Sequence, residues 1–197
     1  MALPTDFSSP APVKVVIAGG FGVGKTTFVG AVSEIAPLTT EAVITAANHG
    51  DSTYGVEQKT STTVAFDFGR RSIDAFTLYI FGTPGQERFW FVWDDMIRGA
   101  LGTIVLADTR RLADCFASID FLELREAPYI VAVNRFDGAP AHSDEELRTA
   151  IQLPPHVPLL HLDARERYSS TRALIALLEY RLNQPADRTS GGSHAHH

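Results

Sequence analysis

The chain has 197 residues and a mass of 21.5 kDa, a length that predicts one domain with room for an arm or a tail. Its 45% hydrophobic and 20% charged residues, at a mean hydropathy of +0.00, exclude a disordered chain, a collagen and a membrane-embedded protein. With 17 basic against 23 acidic side chains the net charge is -6, which disfavours the basic stripe that phosphate-backbone binding requires, so no nucleic-acid partner is expected.

Residues 1–12 carry three prolines and two serines and read as a flexible arm. They lack the charged-then-apolar pattern of a signal peptide, no apolar run reaches the roughly 18 residues of a membrane span, and neither terminus carries a lipidation motif. A cytoplasmic protein without a direct membrane anchor is expected, one that reaches a membrane through a partner if at all. Val13 to Ala18 is a strand, followed by a glycine-rich loop and a helix from Thr26 to about Ile35. Residues 36–61 show no clear periodicity and are too long for an inert connection, so they read as functional and mobile, with a short helix over Glu41 to Ala47 as the alternative. Thr62 to Phe68 alternates as a strand, Gly69 to Ser72 is a turn, and Ala75 to Phe81 is the returning strand.

Further strands are predicted at Leu101 to Ala107, Tyr129 to Val133 and Val157 to Leu162, with helices near 110–126 and 143–151. A last helix over 170–182 puts Leu174, Leu177, Leu178 and Leu182 on one face. Residues 184–197 read as a disordered tail with solvated histidines, leaving 13–183 as the folded domain. Cys115 is the only cysteine, so an intrachain disulfide is excluded; it reads as a small core residue in a reducing compartment. Strands alternating with helices give an α/β fold: a mostly parallel six-stranded sheet with helices on both faces and one antiparallel edge strand from the hairpin. Ligands of such sheets bind at the carboxyl ends of the strands.

Gly19-Gly20-Phe21-Gly22-Val23-Gly24-Lys25-Thr26 fits G-x-x-x-x-G-K-[ST] between a strand and a helix, the phosphate-binding P-loop. Backbone N–H groups and the helix N-terminus face the phosphates, Lys25 holds the β- and γ-phosphates, and the Thr26 hydroxyl ligates Mg²⁺. Thr27 belongs to the same nucleotide-binding set. Phosphates do not select the base.

Asn134-Arg135-Phe136-Asp137 resembles the N/T-K-x-D guanine motif of small GTPases, with Arg135 in place of the usual Lys. The Asp137 carboxylate would accept from N1–H and the exocyclic amine of guanine. Asp163-Ala164-Arg165 is similar to that family's Ser-Ala-Lys, which implies that the Ala164 amide meets the guanine O6. Gly82-Thr83-Pro84-Gly85-Gln86-Glu87-Arg88-Phe89 resembles the D-T-A-G-Q-E-R-F of Ras and Rab proteins, and implies Gly85 at the γ-phosphate and Gln86 orienting the attacking water. It departs at Gly82, where the metal-side aspartate stands in Ras and Rab proteins. Asp108 is either a substitute acid or, with more weight, a turn cap. Residues 60–68 look like the end of switch I; comparison with Rab and gliding-motility proteins selects Thr63 for Mg²⁺, although threonines also suit an edge strand.

The motifs together resemble the small Ras-like GTPases over residues 13–182. They are most similar to the GTPases of actinobacterial conservons, and Pro84 also resembles the bacterial gliding-motility (MglA-like) GTPases. The resemblance implies a GTP/GDP switch with Mg²⁺, slow hydrolysis, and a Roadblock-type protein and a sensor-kinase-like protein as partners. Two further readings stay open: a nucleotide-dependent binding module with negligible hydrolysis, suggested by Gly82, and a P-loop ATPase or kinase, disfavoured by Asp137. Phe89-Trp90-Phe91-Val92-Trp93 spans more than a helical turn, so at least one large aromatic is expected on the surface.

Overall fold

The computed structural model describes residues 10–36, 38–46, 60–84 and 92–184, with side chains left out at 39–46 and 60–65. The strands are β1 (Ala11–Ala18), β2 (Leu38–Ala46), β3 (Thr60–Ile73), β4 (Phe76–Gly82), β5 (Gly102–Ala107), β6 (Tyr129–Asn134) and β7 (Leu159–Leu162). The helices are α1 (Lys25–Val32), α2 (Trp93–Ile97), α3 (Phe116–Leu124), α4 (Asp144–Ala150) and α5 (Arg167–Leu182). They build one sheet in the order β2-β3-β4-β1-β5-β6-β7.

The mostly parallel α/β sheet is as expected, with a seventh strand added. Only β3 runs against the rest, since it pairs antiparallel with both β2 and β4 while every other pair is parallel. The antiparallel strand is therefore not at the edge: β2, formed by part of the segment read as aperiodic, covers it. The helix alternative over Glu41 to Ala47 is corrected to strand through Ala46. Gly69 to Ser72 is also no turn. β3 continues through it, paired Gly69↔Ile80 and Arg71↔Leu78, and the chain reverses at Asp74, whose φ is 48°. At the other end, Ala11 and Pro12 pair with Phe76 and Thr77, so the strand takes in two residues assigned to the arm.

Continuous apolar runs form the central strands because both sheet faces are covered. Ile104, Leu106, Ile130 and Ala132 face one core with Phe28, Val29 and Val32 of α1 and Leu174, Leu177 and Leu178 of α5. The alternate residues Val105, Ala107, Val131 and Val133 face the other, with Trp93, Ile119, Leu122 and Leu147. Leu182 leaves the α5 stripe and is two-thirds exposed, because eight residues at 100° each place it about 80° from Leu174. Cys115 is the core residue expected, buried and with its thiol pushed up to about 12 by burial.

Candidate nucleotide site

The sequence motifs converge on the carboxyl ends of β1, β4, β5, β6 and β7. After β1, Gly19 to Gly24 form the loop that leads into α1, where the Phe28 amide donates to the Gly24 carbonyl at 2.8 Å. Gly24, at the helix N-cap, has φ 104°, and a Cβ there would lie 2.7 Å from Asn134 Nδ2, so conformation and space both require glycine. Lys25 is 8% exposed, and its ammonium donates to the carbonyls of Gly19 and Gly20, each at 2.8 Å. Burial lowers its pKa from 10.5 to about 8, against the opposing pull of Asp67. Thr26 and Thr27 are exposed to solvent.

The Thr26 hydroxyl donates to Asp67 Oδ2 at 2.6 Å. Asp67 lies on β3 opposite Gly82 of β4, and a Cβ built on Gly82 would stand 3.2 Å from that same oxygen. The hydroxyl and carboxylate are hard oxygen donors of the kind magnesium takes, alongside phosphate oxygens and water. No group of three or more His, Cys, Asp or Glu positioned for a metal occurs among the described residues. Thr26 and Asp67 are the side chains that would stand beside a magnesium ion bound with a nucleotide. The backbone of Thr63 pairs with Val43; its side chain, with Gly85 and Gln86, lies outside the described residues.

Asp108 caps the turn after β5. Its Oδ1 accepts from the Arg110 amide at 2.9 Å, and its carboxylate is gripped by the Arg110 guanidinium at 2.7 Å. These bonds from Arg110 hold its pKa down. The turn reading therefore stands, since Asp108 caps the backbone and is gripped by the arginine two residues on. The next arginine reaches the phosphate loop: Arg111 donates to the Phe21 carbonyl at 2.9 Å and pairs with Asp114, which packs beside Gly20. Sequence reasoning missed this buttress, since the 90 residues between the partners carry no local signal.

Asn134 is 4% exposed and joins three loops. Its Nδ2 donates to the Val23 carbonyl and its Oδ1 accepts from the Ala164 amide, both at 2.9 Å. The Ala164 amide, expected at a base oxygen, donates here to Asn134. Arg165 lies beside Asp163 and Asp137 and donates to both: to the Asp137 oxygens at 3.1 and 3.2 Å, and to Asp163 Oδ2 at 2.7 Å. The bonds from Arg165 lower the pKa of both carboxyls, and the same bonds raise the arginine. Asp137 is open to solvent, with 88% of its side chain exposed, and Arg135 is also exposed.

A family described as "Conserved hypothetical ATP binding protein" matches residues 17–184, from the end of β1 past the end of α5. The chain belongs to that family. It is 32% identical over 127 residues to an uncharacterized protein of Methanocaldococcus jannaschii, covering 64% of this chain and 71% of that one. Among solved structures, the G domain of the T. maritima FeoB iron transporter aligns with a TM-score of 0.59 at 20% identity, over 86% of this chain and 98% of that one. The whole FeoB cytosolic domain in its apo form gives 0.61 at 19% identity, over 88% of this chain. This family member spans 65% of that longer chain. At these identities the likeness is one of fold alone: the α/β P-loop fold of the FeoB G domain.

Proposed function

We propose that this chain binds GTP with Mg²⁺, hydrolyses it slowly to GDP and phosphate, and works as a molecular switch in the cytoplasm. The observation that carries the base assignment is the Asn134 bridge. By tying the phosphate loop to the 163–165 loop, it holds the loop that ends in the exposed Asp137 at the mouth of the cleft. A carboxylate matches the two donors on the guanine edge, N1–H and the C2 amine, a pair that adenine does not offer. The family's description names ATP, so base choice is the first thing to test.

In this reading Lys25 leaves the Gly19 and Gly20 carbonyls for the β- and γ-phosphates, and the Gly19–Gly24 amides hold the phosphate chain. Bound magnesium supplies charge neutralisation at the β- and γ-phosphate oxygens. Gly85 donates its amide to the γ-phosphate, Thr63 closes on the metal side, and Gln86 orients the attacking water. Hydrolysis is slow because that water must be aligned without an arginine supplied by an activating protein. Residues 36–63 and 82–95 change shape with the nucleotide and signal to partners, for which the resemblance to conservon and MglA-like GTPases suggests a Roadblock-type protein and a sensor-kinase-like protein. Recruitment to a membrane goes through such a partner; among the described residues no helix is long and apolar enough to cross one.

Gly82 favours a second reading, a nucleotide-dependent binding module with negligible hydrolysis. Incubating the protein with GTP and with ATP, then separating the nucleotides, decides between them. GDP accumulation above the spontaneous rate supports the switch, retention of intact GTP supports the module, and a preference for ATP overturns both base assignments.

A further inference from the structure

Gly82 ends β4 without a side chain, in the motif position where Ras and Rab proteins carry their metal-side aspartate. We propose that Asp67 is the metal-side carboxylate of this site, supplied from β3 across the β3–β4 ladder in place of a carboxylate at position 82. The inference rests on the reading of the cleft as a Mg²⁺–nucleotide site.

Three observations place the group. The register pairs Asp67 with Gly82 directly, so the two positions are cross-strand neighbours at the carboxyl end of β4. The Asp67 carboxylate reaches the P-loop: its Oδ2 accepts the Thr26 hydroxyl hydrogen at 2.6 Å. Finally, a Cβ on Gly82 would meet Asp67 Oδ2 at 3.2 Å and its Cβ at 3.3 Å, closer than most real Cβ contacts. A side chain at 82 would therefore crowd the Asp67 carboxylate beside Thr26, and glycine leaves it room.

The chemistry of the contact suits a metal site. A hydroxyl whose hydrogen is committed to Asp67 turns its oxygen lone pairs away from that residue, ready to coordinate a hard cation. Carboxylates that orient a ligand or hold a metal-bound water are outer-shell partners, whose loss typically weakens metal binding ten- to a hundredfold. Asp67 also acts on Lys25, whose pKa it raises against burial, so its charge is felt at the phosphate end of the cleft.

The test is release of fluorescent GDP from preloaded protein, in excess Mg²⁺ and in EDTA, which reads metal binding without any turnover. Wild type should release GDP at least about tenfold more slowly in Mg²⁺. Asp67→Asn keeps the shape and removes the charge, and should release at nearly the same rate in both conditions. The exchange Asp67→Gly with Gly82→Asp moves the carboxylate to β4 and should recover the Mg²⁺ dependence. Full Mg²⁺ dependence in Asp67→Asn overturns the inference alone and leaves the nucleotide reading intact. So does an exchanged protein that holds GDP yet gains nothing from Mg²⁺. Wild-type protein that takes up no nucleotide overturns both.

Discussion

The Arg165 guanidinium donates to both carboxylate oxygens of Asp137, at 3.1 and 3.2 Å, while also gripping Asp163. For the proposed base recognition, Asp137 is thus already oriented, and these bonds hold its carboxyl below the ordinary carboxylate range. Asp137→Asn replaces one acceptor by a donor, which opposes the guanine C2 amine and also faces Arg165, itself donor-only. GTP affinity should fall at least about tenfold, roughly 1.4 kcal/mol. Xanthine presents a carbonyl at C2, so the variant should prefer XTP, a reversal that unfolding cannot mimic. Titration of both nucleotides on both proteins checks this: if GTP stays preferred, Asp137 is not the base reader.

Lys25 makes nucleotide binding depend on pH. Its folded pKa, about 8, lies below the 10.5 of an exposed lysine, while phosphate binding needs the charged form. Below about pH 8 the ammonium is present and affinity should be flat; above it, each pH unit should weaken binding by up to about tenfold until the pKa of the complex is reached. The effect on folding has the opposite sense. The unfolded chain binds more protons between 8 and 10.5, so the cost of burying this charge is felt in full below 8 and relieved as pH rises through that window. Pyrophosphate avoids the titrating base but gains charge itself in this range, so wild type is compared with Lys25→Arg, whose charge does not titrate; the same pH dependence in both proteins between about pH 7 and 9 would remove Lys25 from phosphate binding.

Trp93 opens α2 as a buried anchor, 2% exposed, its ring edge-on to Phe121 at 5.2 Å. Arg125 lies over the Phe121 ring, 3.6 Å from its centre, and pairs with Asp94 of α2. Trp93 is therefore not the exposed aromatic expected in this stretch, and Phe89, Trp90 and Phe91 lie outside the described residues. Trp93→Ala should cost about 3–5 kcal/mol in urea unfolding. A nucleotide-dependent change in emission should survive Trp93→Phe and disappear in Trp90→Phe. The reverse pattern would show α2 itself to be the moving part.

What was legible in the sequence was whatever is local along the chain. The phosphate loop is one contiguous motif, and the central strands declare themselves as apolar runs because both faces are buried. β2 stayed hidden because an edge strand with one partner has no such run. Gly69 and the two arginines after it imitate a turn, but the glycine is there for packing: a Cβ would meet Val29 Cγ1 at 2.9 Å and Ser33 at 3.1 Å, where α1 crosses β3. The pairs that tune the site are separated in sequence, Thr26 and Asp67 by 41 residues and Asp137 and Arg165 by 28. Only strand register and loop packing bring them together. A glycine in place of an expected aspartate was visible; the residue using its space was not.

Asn134 offers the strictest separation between holding the cleft together and reading the base. It is buried, and each of its two bonds serves a backbone group of a buried residue, the carbonyl of Val23 and the amide of Ala164. Asn134→Ala would leave both without a partner, at about 1–3 kcal/mol each, and would loosen the phosphate loop at Gly24. Affinity for GTP, for XTP and for pyrophosphate should therefore drop together, with a lower melting temperature. Asn134→Asp isolates one arm: an oxygen still accepts from Ala164, but a carboxylate now faces the Val23 carbonyl, so the phosphate loop should suffer while the 163–165 loop stays in place. Asp137→Ala should behave differently, losing GTP affinity while pyrophosphate binding and melting temperature hold, because its exposed carboxylate supports no buried group. Comparing GTP and pyrophosphate titrations across these variants decides the matter. If Asn134→Ala weakens GTP but leaves pyrophosphate untouched, Asn134 reads the base directly, and the phosphate loop does not depend on its bond to Val23.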